Sequence, residues 1–307
     1  MKLDYSKDFG EIVRPGYPKY YQFGADENPF GDDDTVKLVC EDIRKRESDD
    51  PFFHYVGTTG PHDPYCPPQR FIDLYKDVDI KLPESFEDDM MDKPAWYRRT
   101  RDCFKLTKEE HIESIRRYLA FVSYEDYLFG QVLDALEEKG ILDDTSIMYL
   151  TDHGDYVASH GLWAKGLPCF KEAYKICAFV SGPTFEKDIK CDKLTSITDF
   201  APTILDIAQI DSGVKMQGES LVSLLEGNNP DSWREELFTQ TNGNELYGMQ
   251  RSVFNKKWKY VLNTFDYDEL YDLENDPKEM HNIINYDHND VIKMMCKKNV
   301  EICTREW

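Results

Sequence analysis

A chain of 307 residues that is 40% apolar can bury a substantial core, and its length accommodates one large domain plus a smaller one. A formal net charge of −22 excludes broad contact with nucleic acid or an anionic membrane, because both require a cationic face. No apolar run approaches membrane-spanning length, and the opening MKLDYSKDFGEIVRPGYPKYYQFG has neither an apolar h-region nor a cleavage site, so the chain as written is expected in the cytosol, acting on a small substrate.

Asp32-Asp33-Asp34 followed by TVKLVCEDIRKR predicts a helix, with carboxylates at its positive end and basic residues in its last turn. Phe52 to Gly57, FFHYVG, is short, aromatic and β-branched, and predicts a buried strand with His54 in the core. From His111 to Lys139, apolar residues at Ile112, Ile115, Leu119, Val122, Phe129, Val132, Leu133 and Leu136 fall at spacings of three and four, with Gly140 as the stop. Buried strands follow at Ile147–Leu150 and Ile176–Val180, then a capped helix at TSITDFAPTILDIAQI with proline in its first turn.

Strands alternating with helices predict an α/β fold with a mainly parallel sheet flanked by helices. After residue 228 the texture changes. Leu237–Thr241, Met249–Phe254, Trp258–Leu262 and Glu269–Tyr271 are short strand-like runs between Asn-, Gly- and Asp-rich turns, which suits a small C-terminal antiparallel sheet. The predicted division is an α/β core over 1–228 and an α+β subdomain over 229–307. The 8 cysteines lack paired C-x-x-C spacing and predict reduced thiols rather than a zinc site or a disulfide framework.

Chemistry concentrates at Thr151-Asp152-His153-Gly154-Asp155, directly after the Leu150 strand. In parallel α/β sheets ligands collect outside the carboxyl ends of strands, and Gly154 allows a sharp turn there. A carboxylate oxygen of Asp152 and an imidazole nitrogen of His153 suit a divalent cation. The bland alternative is that Asp152 caps the turn and His153 packs. Downstream, Lys165 beside Gly166 could reach a bound oxyanion as a point charge, although a lone lysine is more often a solvated surface residue.

TDHGDYVASHGLWAKG, preceded by QVLDALEEKGILDDTSIMYL, resembles the sulfatases of the alkaline phosphatase superfamily, in the branch of choline sulfatase and iduronate-2-sulfatase. So do FFHYVGTTGPHDPY, the TSITDFAPTILDIAQI helix, GESLVSLLEG and NKKWKYVLNTFDYDELYDLENDPKEMHNI, over roughly residues 35 to 285. The resemblance implies an alkaline phosphatase-like fold, incomplete at its amino end, and metal-dependent hydrolysis of sulfate esters. Asp152 and His153 match two late metal ligands, on calcium or a similar hard divalent ion such as Mg2+ or Mn2+. Lys165 matches the lysine that contacts the sulfate, and His62 of GPHDP a histidine near the leaving-group oxygen. His160 matches either a substrate contact or a residue packed beneath the loop.

Cys66-Pro67-Pro68-Gln69-Arg70 has the C-x-P-x-R form of the sulfatase nucleophile but stands too close after His62, and its two prolines remove amide donors; it reads as a coincidence. The family's nucleophile and early aspartate pair then fall outside the resemblance, and Asp32-Asp33-Asp34 reads as a helix start rather than as that pair. The expectation is a chain carrying part of an active site, as a fragment, a split gene product or a pseudoenzyme. Its shortened sheet would expose strand edges and invite a second copy or a missing N-terminal segment, with export open in the latter case. Two rival functions are hydrolysis of phosphonate or phosphate esters and a noncatalytic binding or assembly role.

Overall fold

The computed structural model describes residues 24–243 and 247–304. The opening stretch read above and the side chain of Cys303 lie outside the described residues. Helices and strands run in the order α1 (Asp32–Lys45), α2 (Gln69–Ile72), α3 (Ala95–Asp102), α4 (Lys108–Lys139), β1 (Ile147–Leu150), α5 (Lys171–Tyr174), β2 (Ala178–Ser181), α6 (Phe200–Ile207) and α7 (Val222–Leu225). They continue with β3 (Leu237–Gly243), β4 (Tyr247–Phe254), β5 (Trp258–Asn263), β6 (Glu269–Asp272) and α8 (Asn289–Thr304). The chain forms two compact units interleaved in sequence: residues 1–88, 99–145 and 155–164 in one, and 89–98, 146–154 and 165–307 in the other. The change of texture near residue 228 falls inside the second unit.

The first unit is organised by α4. Thr107 closes a capping box, its hydroxyl accepting from the Glu110 amide at 3.2 Å while the Glu110 carboxylate accepts from the Thr107 amide at 2.8 Å. Gly140, at φ 74°, ends the helix in the left-handed conformation that glycine adopts without penalty. The buried face differs from the apolar stripe read in the sequence. It runs through His111, Ile115, Phe121, Tyr124, Glu125 and Leu128, while Val122 is exposed. Of its polar residues, His111 accepts the Trp163 indole N–H at 3.0 Å. Tyr65, Ile80, Ile115, Ala158 and Trp163 make one apolar cluster of the unit. Helix α1 is tied to α4 by Cys40, whose Sγ donates to the Gln131 carbonyl at 3.4 Å, and by an Arg44–Glu138 ion pair at 2.6 Å.

Residues 52–57 correct the expectation of a buried strand. They are extended but join no ladder, Phe53 and Tyr55 are exposed, and His54 is half-buried beside Asp42 at 3.2 Å rather than in the core. The first unit has no strand among its described residues.

In the second unit β1 and β2 pair antiparallel, Leu150 opposite Ala178 and Ile147 opposite Ser181. Every strand pair among the described residues is antiparallel, so the parallel arrangement expected from the alternation of elements is not present in them. Met148, Leu150 and Val180 pack on the cluster of Phe200, Leu221, Leu224 and Trp233, whereas Tyr149 and Phe179 stack on the other face at 5.1 Å. The helix after β2 starts through a Ser196–Asp199 capping box, and Asp199 also takes a bidentate pair from Arg234 at 2.7 and 2.8 Å.

The four C-terminal strands form the expected antiparallel sheet in the order β3-β4-β5-β6. Alternation gives it two different faces. Val253, Tyr260 and Leu270 meet Met295 of α8 in an apolar cluster. The opposite face buries a polar layer. Glu269 accepts from the hydroxyls of Tyr97 (2.6 Å) and Tyr271 (2.5 Å) and from the Asn263 amide (2.9 Å), and Lys259 pairs with Glu279 at 2.6 Å.

Candidate active site

The turn after β1 is anchored at both ends to the segment leading into β2. The Thr151 amide donates to the Cys177 carbonyl at 3.1 Å, and the Gly154 amide to the Ala173 carbonyl at 2.9 Å. Glycine at 154 is required by close approach rather than by an unusual φ: a Cβ there would stand 2.0 Å from the Glu172 carbonyl oxygen. Asp152, in the middle of the turn, is 84% exposed. Its Oδ1 accepts from the His153 amide at 3.0 Å and lies 3.8 Å from His153 Nε2. His153 Nδ1 lies 2.8 Å from the Gly154 carbonyl oxygen, which can only accept, so Nδ1 carries the proton and Nε2 presents its lone pair in the neutral ring. Lys165 belongs to the same unit, half-buried, between Ala164 at φ 56° and Gly166 at φ 156°.

His62 and His160 belong to the other unit. The Nδ1 of His62 donates to the Asp63 carbonyl at 2.8 Å and stands 3.2 Å from the Asp63 carboxylate, so Nε2 is the outward nitrogen of a ring that is 31% exposed. Two residues on, Tyr65 donates its hydroxyl to Asp155 Oδ2 at 2.6 Å, and the Val157 amide donates to Oδ1 at 2.9 Å. Desolvation, assisted by the charge of Asp63, pushes the Asp155 carboxyl up to about 6 in spite of those hydrogen bonds.

His160 is fully buried. Its Nδ1 lies 2.7 Å from Asp88, and its amide donates to the Ser85 hydroxyl at 3.3 Å. These contacts correspond to the packed alternative raised from the sequence. Val157, Ala158, His160 and Ala164 all have positive φ, between 44° and 69°, a run of backbone strain that the enclosing packing must hold in place. Cys66 is buried, and desolvation pushes its thiol up to about 11.

Asp32, read from the sequence only as part of a helix start, and Glu125, not singled out there, both contact the segment leading to His62. Asp32 accepts from the amides of Thr59 at 2.9 Å and Gly60 at 2.8 Å. Its carboxylate therefore reaches a distant loop, besides marking the start of α1. Glu125 of α4 is 5% exposed, and its carboxyl is pushed up to about 7, first by desolvation and then by the charge of Asp32. A polar residue on an otherwise apolar helix face was the available signal for Glu125; Asp32 left none.

A calcium ion takes roughly six to eight oxygen donors, and softer divalent ions accept imidazole. Asp152 and the Nε2 of His153 fit as one carboxylate and one nitrogen donor. Among the described residues no group of three or more His, Cys, Asp or Glu side chains is arranged to hold a metal. No described helix is long and apolar enough to cross a membrane.

The fold class is alkaline phosphatase-like. A solved phosphonate monoester hydrolase of Agrobacterium radiobacter superposes with a TM-score of 0.76 at 23% identity, covering 87% of this chain and 60% of that one. Residues 4–210 match the sulfatase family, and residues 158–306 match the C-terminal region of N-sulphoglucosamine sulphohydrolase. The chain belongs to the sulfatase family. An arylsulfatase of Clostridium perfringens is 30% identical over 86% of this chain and 55% of its own length, and a choline-sulfatase of Rhizobium meliloti 32% identical over 82% and 51%. The chain thus spans about half the length of these curated relatives.

Proposed function

We infer that the protein takes part in the hydrolysis of sulfate esters. The observation that carries this reading, beside family membership, is the turn after β1. There a solvent-facing carboxylate and an imidazole with a fixed tautomer stand side by side, the Nε2–Oδ1 distance being 3.8 Å. Asp152 and His153 would hold a divalent ion, calcium first and Mg2+ or Mn2+ as substitutes, and the ion would supply Lewis-acid polarisation of the ester oxygens. In the neutral ring the Gly154 carbonyl holds the His153 proton on Nδ1, leaving the Nε2 lone pair for a metal. Lys165 brings a fixed positive charge for an oxyanion. His62, with Nδ1 committed to the Asp63 carbonyl, can release a proton only from Nε2, which suits protonation of a departing alcohol.

The test is turnover of an aryl sulfate against the matching aryl phosphate and phosphonate by the purified chain with calcium, together with calcium binding by calorimetry. Preference for the sulfate, lost on Lys165→Ala and on Asp152→Ala, supports the reading. Preference for the phosphonate transfers the same residues to that ester class. Calcium binding without turnover of any ester favours the binding or assembly role.

A further inference from the structure

We propose that Asp32 and Glu125 are positioning residues for His62: together they grip the loop Thr58–Gly60 and so fix where the imidazole two residues further on stands.

Both oxygens of Asp32 are engaged by consecutive loop amides, Thr59 on Oδ1 at 2.9 Å and Gly60 on Oδ2 at 2.8 Å. Two amides on one buried carboxylate define the local backbone direction, which a single hydrogen bond does not do. The Thr58 side chain hydrogen-bonds the Glu125 carboxyl. Gly60 lies so close over α4 that a Cβ would meet Glu125 Oε1 at 2.0 Å and Phe121 Cε2 at 2.7 Å. The loop then delivers His62, whose amide donates back to the Thr59 carbonyl at 3.2 Å. Every link from the two helices to the imidazole is a short contact.

Glu125 differs from Asp32 in one respect. Its Oε1 is buried with no hydrogen-bond partner. A buried carboxylate oxygen left in that state calls for a role or a proton. The charged groups facing it are Asp32 from α1, with Asp33 next to it, and Tyr124 from α4, while the loop brings the Thr58 hydroxyl. Nothing cationic is among them: burial and the charge of Asp32 disfavour an ionised Glu125, while the Thr58 hydrogen bond favours it, so the grip on the loop changes as Glu125 gains or loses its proton.

This inference deepens the proton-donor reading of His62, and its test separates the two. Imidazole Cε1–H resonances of the full chain are followed by NMR across pH 5 to 9, with the His62 signal assigned through His62→Gln. The expected result is a His62 chemical shift with an additional inflection near 7, where Glu125 titrates. In Glu125→Gln that inflection disappears while His281 is unmoved, and Glu125→Asp restores it at a displaced pH. Asp32→Asn shifts or broadens the His62 signal at every pH. A His62 titration identical in the wild type and in Glu125→Gln, with the remaining imidazoles unchanged, overturns the proposal even if Asp32→Asn fails to fold. Aryl sulfate turnover measured alongside reports on the proton-donor role alone.

Discussion

The hydroxyl of Tyr65 donates to the carboxylate of Asp155 at 2.6 Å, joining the PHDPY segment to the residue that follows the Asp152-His153-Gly154 turn. Asp155 sits at about 6, above its ordinary 3.8, because desolvation outweighs this hydrogen bond. Its contribution to stability is fully present below 3.8 and is lost as pH rises through 6. Removing the phenol leaves the ionised form with less compensation. Tyr65→Phe is expected to cost about 1–2 kcal/mol at pH 8 and less at pH 4, read from urea unfolding at the two pH values.

Asp152 is mostly exposed, and its contacts are to its own neighbour. Asp152→Ala should therefore change the stability of the metal-free protein by no more than about 0.5 kcal/mol. In the wild type, calcium should raise the thermal midpoint by mass action, and this rise should vanish in the variant. Turnover of a sulfate ester should fall at least about 100-fold. Scanning calorimetry with and without calcium separates the two effects.

Gly154 makes its close approach to a main-chain carbonyl, which cannot swing aside as a flexible side chain would. Gly154→Ala should therefore force the turn away from the Glu172 carbonyl, at a cost of about 1–3 kcal/mol. Because the displaced turn carries Asp152 and His153, calcium affinity measured by calorimetry should fall with it.

Cys66 provides the control. It is buried and is followed by two prolines that offer no amide donors, so Cys66→Ala should leave ester turnover within about twofold while lowering stability by roughly 1–2 kcal/mol for the cavity created. A loss of turnover as large as that expected for Asp152→Ala would instead make Cys66 the attacking group.

The elements that the sequence revealed are those whose information is local. Gly140 stops α4, and the strand-like runs between Leu237 and Asp272 form four strands that pair in sequence order. Direction of pairing is not local: Ile147–Leu150 and Ala178–Ser181 read equally well as parallel or antiparallel neighbours, and the alternation of strands with helices suggested the former. Residues 52–57 have strand composition but join no ladder, and composition does not report whether a ladder forms. The same distinction applies at the site. Asp152 and His153 adjoin in sequence, so their proximity in the turn after β1 is local; the contact of Asp32 with Thr59 and Gly60 spans 27 and 28 residues and had no local trace.

The two-faced C-terminal sheet has a further consequence. Sliding β5 by one residue against its neighbours would push Lys259 toward α8 and strand Glu279 without its cation, so the misaligned pairing would be penalised twice. The ionic and phenolic groups beneath the sheet therefore act against wrong alignments more than they add to the stability of the right one. Replacing the whole layer with well-packed aliphatic residues should leave the sheet folded but less selective about how its strands line up.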